Sequence, residues 1–218
     1  MRSLICSALC GLLFAADLPA ASFNNLLRTL GQEGFGTPEY DGALQEIARD
    51  HTKDPNFSRI YRSILDGAPS LLLEGLLRKV SIENPNVGVR LEAKAHLGRV
   101  IKEQGEFGFE MKHVKDKEER EVFEMIKGED LFKKSTSGDP AKLIDEAERI
   151  LKETIAEAEK TSGTSGAIRL AKRLLYEVQY LTEGKMAPET VGVDVNGKEF
   201  KLSDFKGKVV GMVFWGDW

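Results

Sequence analysis

Thiol chemistry has little raw material in this chain. Of 218 residues only Cys6 and Cys10 are cysteines, both within the first ten positions. A form shortened past that region keeps no thiol, which excludes a disulfide framework, a thiolate nucleophile and a cysteine metal site from it. Histidine is almost as sparse. His51, His96 and His113 are scattered with no zinc-ligand spacing, so each reads as an ordinary helix or surface residue, and no metal and no cofactor are expected. Neither sign of charge dominates: 31 basic against 35 acidic residues leave a formal net charge of -4. That balance carries no electrostatic footprint for nucleic acid. Long apolar runs are missing as well. The one candidate, Leu4 to Ala16, is too short to span a bilayer with margin, follows the single positive charge of Arg2, and precedes the small residues Ala20, Ala21 and Ser22. This pattern reads as a signal peptide over residues 1–22 and implies export to the periplasm or cell envelope. Leu9 is too bulky to favour Cys10 as a lipoprotein acceptor, and attachment to the membrane after export stays open.

What the chain does have, over residues 23–183, is helical periodicity with nameable caps. Thr37-Pro38 supplies an N-cap and a first-turn proline ahead of Leu44, Ile47 and Ala48, predicting a helix from about Pro38 to His51. Asp54-Pro55 opens another through Phe57, Ile60, Tyr61, Ile64 and Leu65, closed by Gly67. Leu71, Leu72, Leu76, Leu77 and Val80 form the next stripe. Asn84-Pro85 reads as cap and first residue before Val89, Ala93, Leu97, Val100 and Ile101. From Gln104 to Gly138 the pattern weakens, and a loop, one helix through Val122 and Ile126, and a polar turn are expected there. The charge run Lys115 to Glu121 is a solvated helix face. Asp139-Pro140 starts the clearest helix, with Leu143, Ile144, Ala147, Ile150, Leu151, Ile155 and Ala158 on one side. After the break Thr161 to Gly166, a partner helix with Ile168, Ala171, Leu174, Leu175, Val178 and Leu181 should pack back as a hairpin. These stripes read as core. Paired helices suggest a helical-repeat-like shape, without the fixed period and signature residues of a true repeat array.

The pattern changes at Gly184-Lys185-Met186-Ala187-Pro188. Val191, Val193 and Val195 alternate with small and polar residues, Asn196-Gly197 offers the two left-handed residues of a tight turn, and Lys198 to Leu202 returns, predicting a β-hairpin. Ser203 to Gly207 reads as a capped single turn ended by glycine. Lys208 to Phe214 is then an apolar run of the kind expected for a strand covered on both faces.

Taken in order, Gly184-Lys185-x-Ala187-Pro188, Asn196-Gly197-Lys198, Leu202-Ser203-Asp204-Phe205-x-Gly207-Lys208-Val209-Val210 and Phe214-Trp215-x-x-Trp218 resemble the N-terminal part of extracytoplasmic thioredoxin-like proteins. The similarity is to the redoxin group, the alkyl hydroperoxide reductase and thiol-specific antioxidant superfamily, and within it to membrane-associated thiol-disulfide oxidoreductases acting on exported cysteines. It covers about the last sixth of the chain. More loosely, Leu76 to Val80 running into Glu83-Asn84-Pro85 resembles the helical region of bacterial proteins that carry a signal peptide, a helical domain and then a redoxin domain.

The resemblance implies a family mechanism in which a thiolate, acidified by a helix N-terminus, attacks a substrate disulfide and a second cysteine resolves the mixed disulfide. Trp215 and Trp218 match the aromatic positions flanking that Cys-x-x-Cys pair and are the substrate-groove candidates; strand-end core is an equal reading for Trp215. Two residues depart from the family pattern: Gly211, where a bulky apolar residue is usual, and Asp217, whose carboxylate would raise the pKa of a neighbouring thiol. The Cys-x-x-Cys pair itself, and the helix and strands after it, are not in this sequence.

The fold class expected is therefore mainly α. A signal peptide (1–22) precedes an α-helical domain (23–183) and an incomplete thioredoxin-like α/β portion (184–218), made of a β-hairpin plus one buried strand. The chain reads as the front part of an exported thiol-disulfide oxidoreductase in cell redox homeostasis, redox-inactive as it stands, with no catalytic, cofactor or metal residues. Partners of the full-length parent would be exported protein thiols or disulfides. The alternatives are a helical scaffold or protein-binding module with a vestigial redoxin segment, and a fragment of a peroxiredoxin-like peroxidase, which the Phe214-Trp215-x-x-Trp218 loop disfavours.

Overall fold

The computed structural model describes residues 21–64 and 70–213. The signal-peptide reading of 1–22 therefore lies almost wholly outside the described residues, as do Leu65, Gly67, Trp215 and Trp218. The described chain is mostly helical with a small two-stranded sheet.

Caps set the helix starts, and Thr37 and Asp139 cap where the sequence places them. Ser22 Oγ accepts from the Asn25 N–H at 3.4 Å to start α1 (Phe23–Gln32). Thr37 Oγ1 accepts from the Tyr40 N–H at 3.3 Å to start α2 (Pro38–Asp50), with the proline at the first helical position. The helix expected from Asp54-Pro55 begins later. Asp54 Oδ1 accepts from the Asn56 N–H at 2.7 Å, a local turn that competes with helix. A 3-10 turn (Phe57–Ile60) and a one-turn helix α3 (Tyr61–Ile64) follow, burying Phe57, Ile60 and Ile64.

Helix α4 (Leu71–Glu83) is capped by Ser70. Its buried stripe is Leu73, Leu76, Leu77 and Val80, so Leu72 lies outside the core contrary to expectation. The Asn84-Pro85 cap is also corrected. Asn84 ends α4 and is buried, its side-chain amide donating to the carbonyls of Thr52 (2.8 Å) and Asp54 (3.1 Å). Asn86 does the capping, and α5 starts at Val87.

The 27 residues of α5 (Val87–His113) form the axis of the fold, about 40 Å long at 1.5 Å per residue. It packs against α4, α7 (Glu129–Thr136), α8 (Pro140–Ala158) and α9 (Ser165–Tyr180). The loop expected after Gln104 is thus helix, and α7 replaces the expected polar turn. Glycine misleads here, because in α5 it serves close approach. A Cβ at Gly98 would come within 2.7 Å of Leu151 Cδ2, and one at Gly105 within 2.8 Å of Ile144 Cδ1. Helix α6 (Lys117–Lys127), capped by Asp116, runs through Val122 and Ile126 as expected.

Helices α8 and α9 form the expected hairpin. Ile144, Ala147, Ile150, Leu151 and Ala158 are buried on one and Ala167, Ala171, Leu174 and Val178 on the other, while Leu181 stays exposed. Thr164 ties the connection by donating to the Ala158 and Thr161 carbonyls at 2.8 Å each.

Strands β1 (Val191–Val193) and β2 (Glu199–Lys201) pair antiparallel with Gly192 opposite Phe200. The turn is centred one residue earlier than Asn196-Gly197. The Gly197 N–H donates to the Asp194 carbonyl at 2.9 Å, putting Val195 and Asn196 at the central positions, and Gly197 takes a φ of 82° as the bulge residue. Asp194 Oδ1 selects this form by accepting from the Asn196 and Lys198 N–H groups. The buried strand expected from Lys208 is not formed over its described part. Residues 208–213 join no ladder, and Val209 (103%) and Val213 (85%) are fully or largely exposed. Among the described residues no further strand lies beside it to supply hydrogen bonds and cover its faces.

Candidate functional site

The C-terminal segment holds the sequence-predicted site, and its scaffold is locally well defined. The Leu202 N–H donates to the Thr190 carbonyl at 2.9 Å, extending the hairpin by one rung. The Ser203 N–H donates to Glu189 Oε1 at 3.0 Å, and hydrogen bonding from the Ser203 hydroxyl first, and then from its N–H, holds the Glu189 carboxyl below its ordinary value. The Lys201 N–H donates to Asp204 Oδ2 at 2.8 Å, fixing the entry to a 3-10 turn (Leu202–Phe205) that ends at Gly207, φ 85°. This is the capped, glycine-ended turn read from the sequence. The Phe200 ring lies over Gly192, where a Cβ would approach within 2.7 Å, and meets Phe205 edge-on with centroids 6.0 Å apart.

The scaffold thus presents a short hairpin, a capped turn and an exposed apolar run, Val209 to Val213. Trp215 and Trp218, the groove candidates, lie outside the described residues. No cysteine occurs after Cys10, so the segment carries no thiol of its own. Among the described residues no cluster of His, Cys, Asp or Glu could hold a metal ion. Nor is any described helix long and apolar enough to cross a membrane.

The helical region contains two buried polar clusters that sequence reasoning did not single out. At the first, Glu74 on α4 accepts from Gln104 Nε2 on α5 (2.9 Å), from Arg78 (2.9 Å) and from Lys134 on α7, while Arg78 reaches Glu146 on α8 at 2.7 Å. Burial pushes the Glu74 carboxyl up, but the bonds from Lys134, Gln104 and Arg78 outweigh it and the net shift is downward. Glu74 and Arg78 are an i,i+4 pair, the one signal readable beforehand. With four helices converging on it, this cluster works as a strut between elements.

At the second, His96 of α5 stacks on Tyr61 with ring centroids 3.9 Å apart and planes 21° apart. His96 is 6% exposed, and its Nδ1 and the Tyr61 hydroxyl have no hydrogen-bond partner among the described residues. Burial, with Arg99 and Arg173 nearby, lowers the His96 pKa to about 3. The ring is therefore neutral core, as the sequence reading of an ordinary helix residue implies. Of the other two histidines, His51 Nε2 contacts the Ala21 carbonyl at 2.9 Å and His113 Nε2 meets Glu183 at 3.1 Å, tying α5 to the start of the C-terminal segment.

Comparison with known proteins finds similarity over a short stretch. The chain is 53% identical over 38 residues to the thiol-disulfide oxidoreductase ResA of Bacillus subtilis (strain 168), covering 17% of this chain and 21% of that protein. It is 54% identical over 35 residues to ResA of Bacillus thuringiensis subsp. konkukian (strain 97-27), covering 16% and 20%. The chain thus spans about a fifth of the length of the curated relatives it matches. No family profile matches the chain, and no solved structure matches it. A short thioredoxin-like relationship is what these comparisons support.

Proposed function

We propose that this chain is the front part of an exported thiol-disulfide oxidoreductase: a leader, a helical-repeat-like domain over residues 23–183, and the opening of a thioredoxin-like domain from residue 184. The observation that carries the reading is the 53% identity to ResA over 38 residues. The hairpin and the capped turn ending at Gly207 support it, since both form where the motif order expects them. In the parent protein, a Cys-x-x-Cys pair following Trp218 would supply the attacking and resolving thiols, and Trp215 and Trp218 would wall the groove for exported protein disulfides. The run Lys208 to Phe214 would become a central strand, covered on both faces by the rest of that domain. Its described part, residues 208–213, is exposed. Export to the periplasm or cell envelope is part of the same proposal, resting on the composition of residues 1–22.

A disulfide-reduction assay on the purified 218-residue chain tests the reading. With Cys6→Ser and Cys10→Ser, which leave the chain no thiol, the expected rate equals that of the reductant alone. Turnover above that background would contradict it.

A further inference from the structure

The loop between α1 and α2, the first turn of α4, the end of α6 and the start of α7 enclose a groove of about 550 Å³. Its apolar lining includes Phe35, Tyr40, Leu72, Met125, Ile126 and Leu131. Helix α6 buries no side chain, yet Val122, Met125 and Ile126 fall on one face at helical spacing, with Met125 77% and Ile126 66% exposed. An amphipathic helix whose apolar stripe lies open in this way marks an interaction surface.

The charge around the groove defines its occupant. The charged groups lining it are Asp41, Glu129 and Asp130 against one cation, Lys127, whose ammonium is engaged 5.5 Å from the Phe107 ring centre. The groove is therefore apolar inside and acidic at its rim, complementary to an apolar segment carrying positive charge.

We propose that this groove docks an extended segment of a partner polypeptide in which apolar side chains sit beside Lys or Arg. The acidic rim disfavours an anionic lipid surface. A purely apolar small molecule would leave the acidic rim unused. The inference stands independently of the oxidoreductase reading, since it uses no thiol.

Residues 204–213 of this chain, with Lys206 and Lys208 ahead of Val209, Val210, Met212 and Val213, give a peptide of the required chemistry. The test titrates that peptide, fluorescently labelled, with the full chain and follows anisotropy. Saturable binding is expected, weakened at least tenfold by Ile126→Asp and by the double change Glu129→Lys with Asp130→Lys. Ile82→Asp, at a site on α4 that is 78% exposed and outside the groove, should leave binding unchanged. A peptide carrying Lys206→Glu and Lys208→Glu should not bind. Equal binding by the Ile126→Asp chain, or by the acidic peptide, would overturn the proposal. So would a concentration-dependent dimer, seen by sedimentation, that Ile126→Asp dissolves, because the groove would then belong to a second copy of this chain.

Discussion

Lowering the pH from 7 to 5 sets the burial of His96 against its protonation. In the folded chain the ring is stacked on Tyr61 and its pKa is lowered to about 3, chiefly by burial and then by the positive charges of Arg99 and Arg173. In the unfolded chain it titrates near its ordinary value of 6.5. Below that value the unfolded state binds the proton and the folded state does not, so acid favours unfolding. Above about pH 6.5 the contribution is flat. Each tenfold difference in proton affinity between the two states is worth about 1.4 kcal/mol. At pH 5 the linkage therefore costs about 2 kcal/mol, rising toward about 5 kcal/mol below pH 3. Carboxylates titrate in the same acid range, so the measurement has to be a difference. Urea unfolding of the parent chain and of His96→Phe, which keeps an aromatic ring over Tyr61, is followed by circular dichroism at pH 7 and pH 5. The loss of stability between the two pH values should be smaller in the variant by about 2 kcal/mol. Identical losses, or a His96 imidazole signal titrating near pH 6.5 by NMR in the native state, would refute the reasoning.

Other expectations concern the packing of α5 and the strut at Glu74. A Cβ at Gly108 would collide with the Ser135 carbonyl oxygen and sit within 2.9 Å of Pro140 Cγ. Backbone and proline yield little, so Gly108→Ala should destabilise by about 2 kcal/mol in urea unfolding. Gly42, inside α2 with nothing within 4 Å of the added carbon, should instead gain about 0.8 kcal/mol as alanine. If both variants moved the same way, close approach would not be what α5 uses its glycine for. Glu74→Gln removes the carboxylate that Lys134 and Arg78 share, and should cost about 2 kcal/mol at neutral pH, trimmed because solvent reaches both cations. Because the folded Glu74 carboxyl titrates below its ordinary value, this contribution is present above the usual carboxylate range and disappears as pH falls through the folded value. The stabilities of the parent and Glu74→Gln in urea should therefore converge as the pH is lowered.

Capping chemistry and apolar periodicity made most of the helices readable in advance, because Thr37, Asp139 and the α8 stripe act through neighbours a few residues away. Reading failed where tertiary contact decides. The Gly105–Gly108 stretch looks like a break in isolation and becomes helix because α7 and α8 press against it. Asn84 has the local signature of a cap but is held by carbonyls some thirty residues earlier. At the candidate site, the hairpin and capped turn were legible because each closes on its own side chains, Asp194 and Asp204. The strand from Lys208 was legible only as a pattern, since a parallel-sheet strand exists through partners, and the described residues contain none. The Glu74 cluster and the groove beside α6 were invisible for the same reason, each assembled from elements far apart in sequence.

The proposal that this chain opens a thiol-disulfide oxidoreductase is tested most directly by reading the coding sequence beyond the codon for Trp218. Continuation into Cys-x-x-Cys within the next few codons, followed by the remaining helices and strands of a thioredoxin-like domain, is the predicted result. A stop codon there, or a continuation without that cysteine pair, would contradict the claim and leave whatever this protein does to its helical domain.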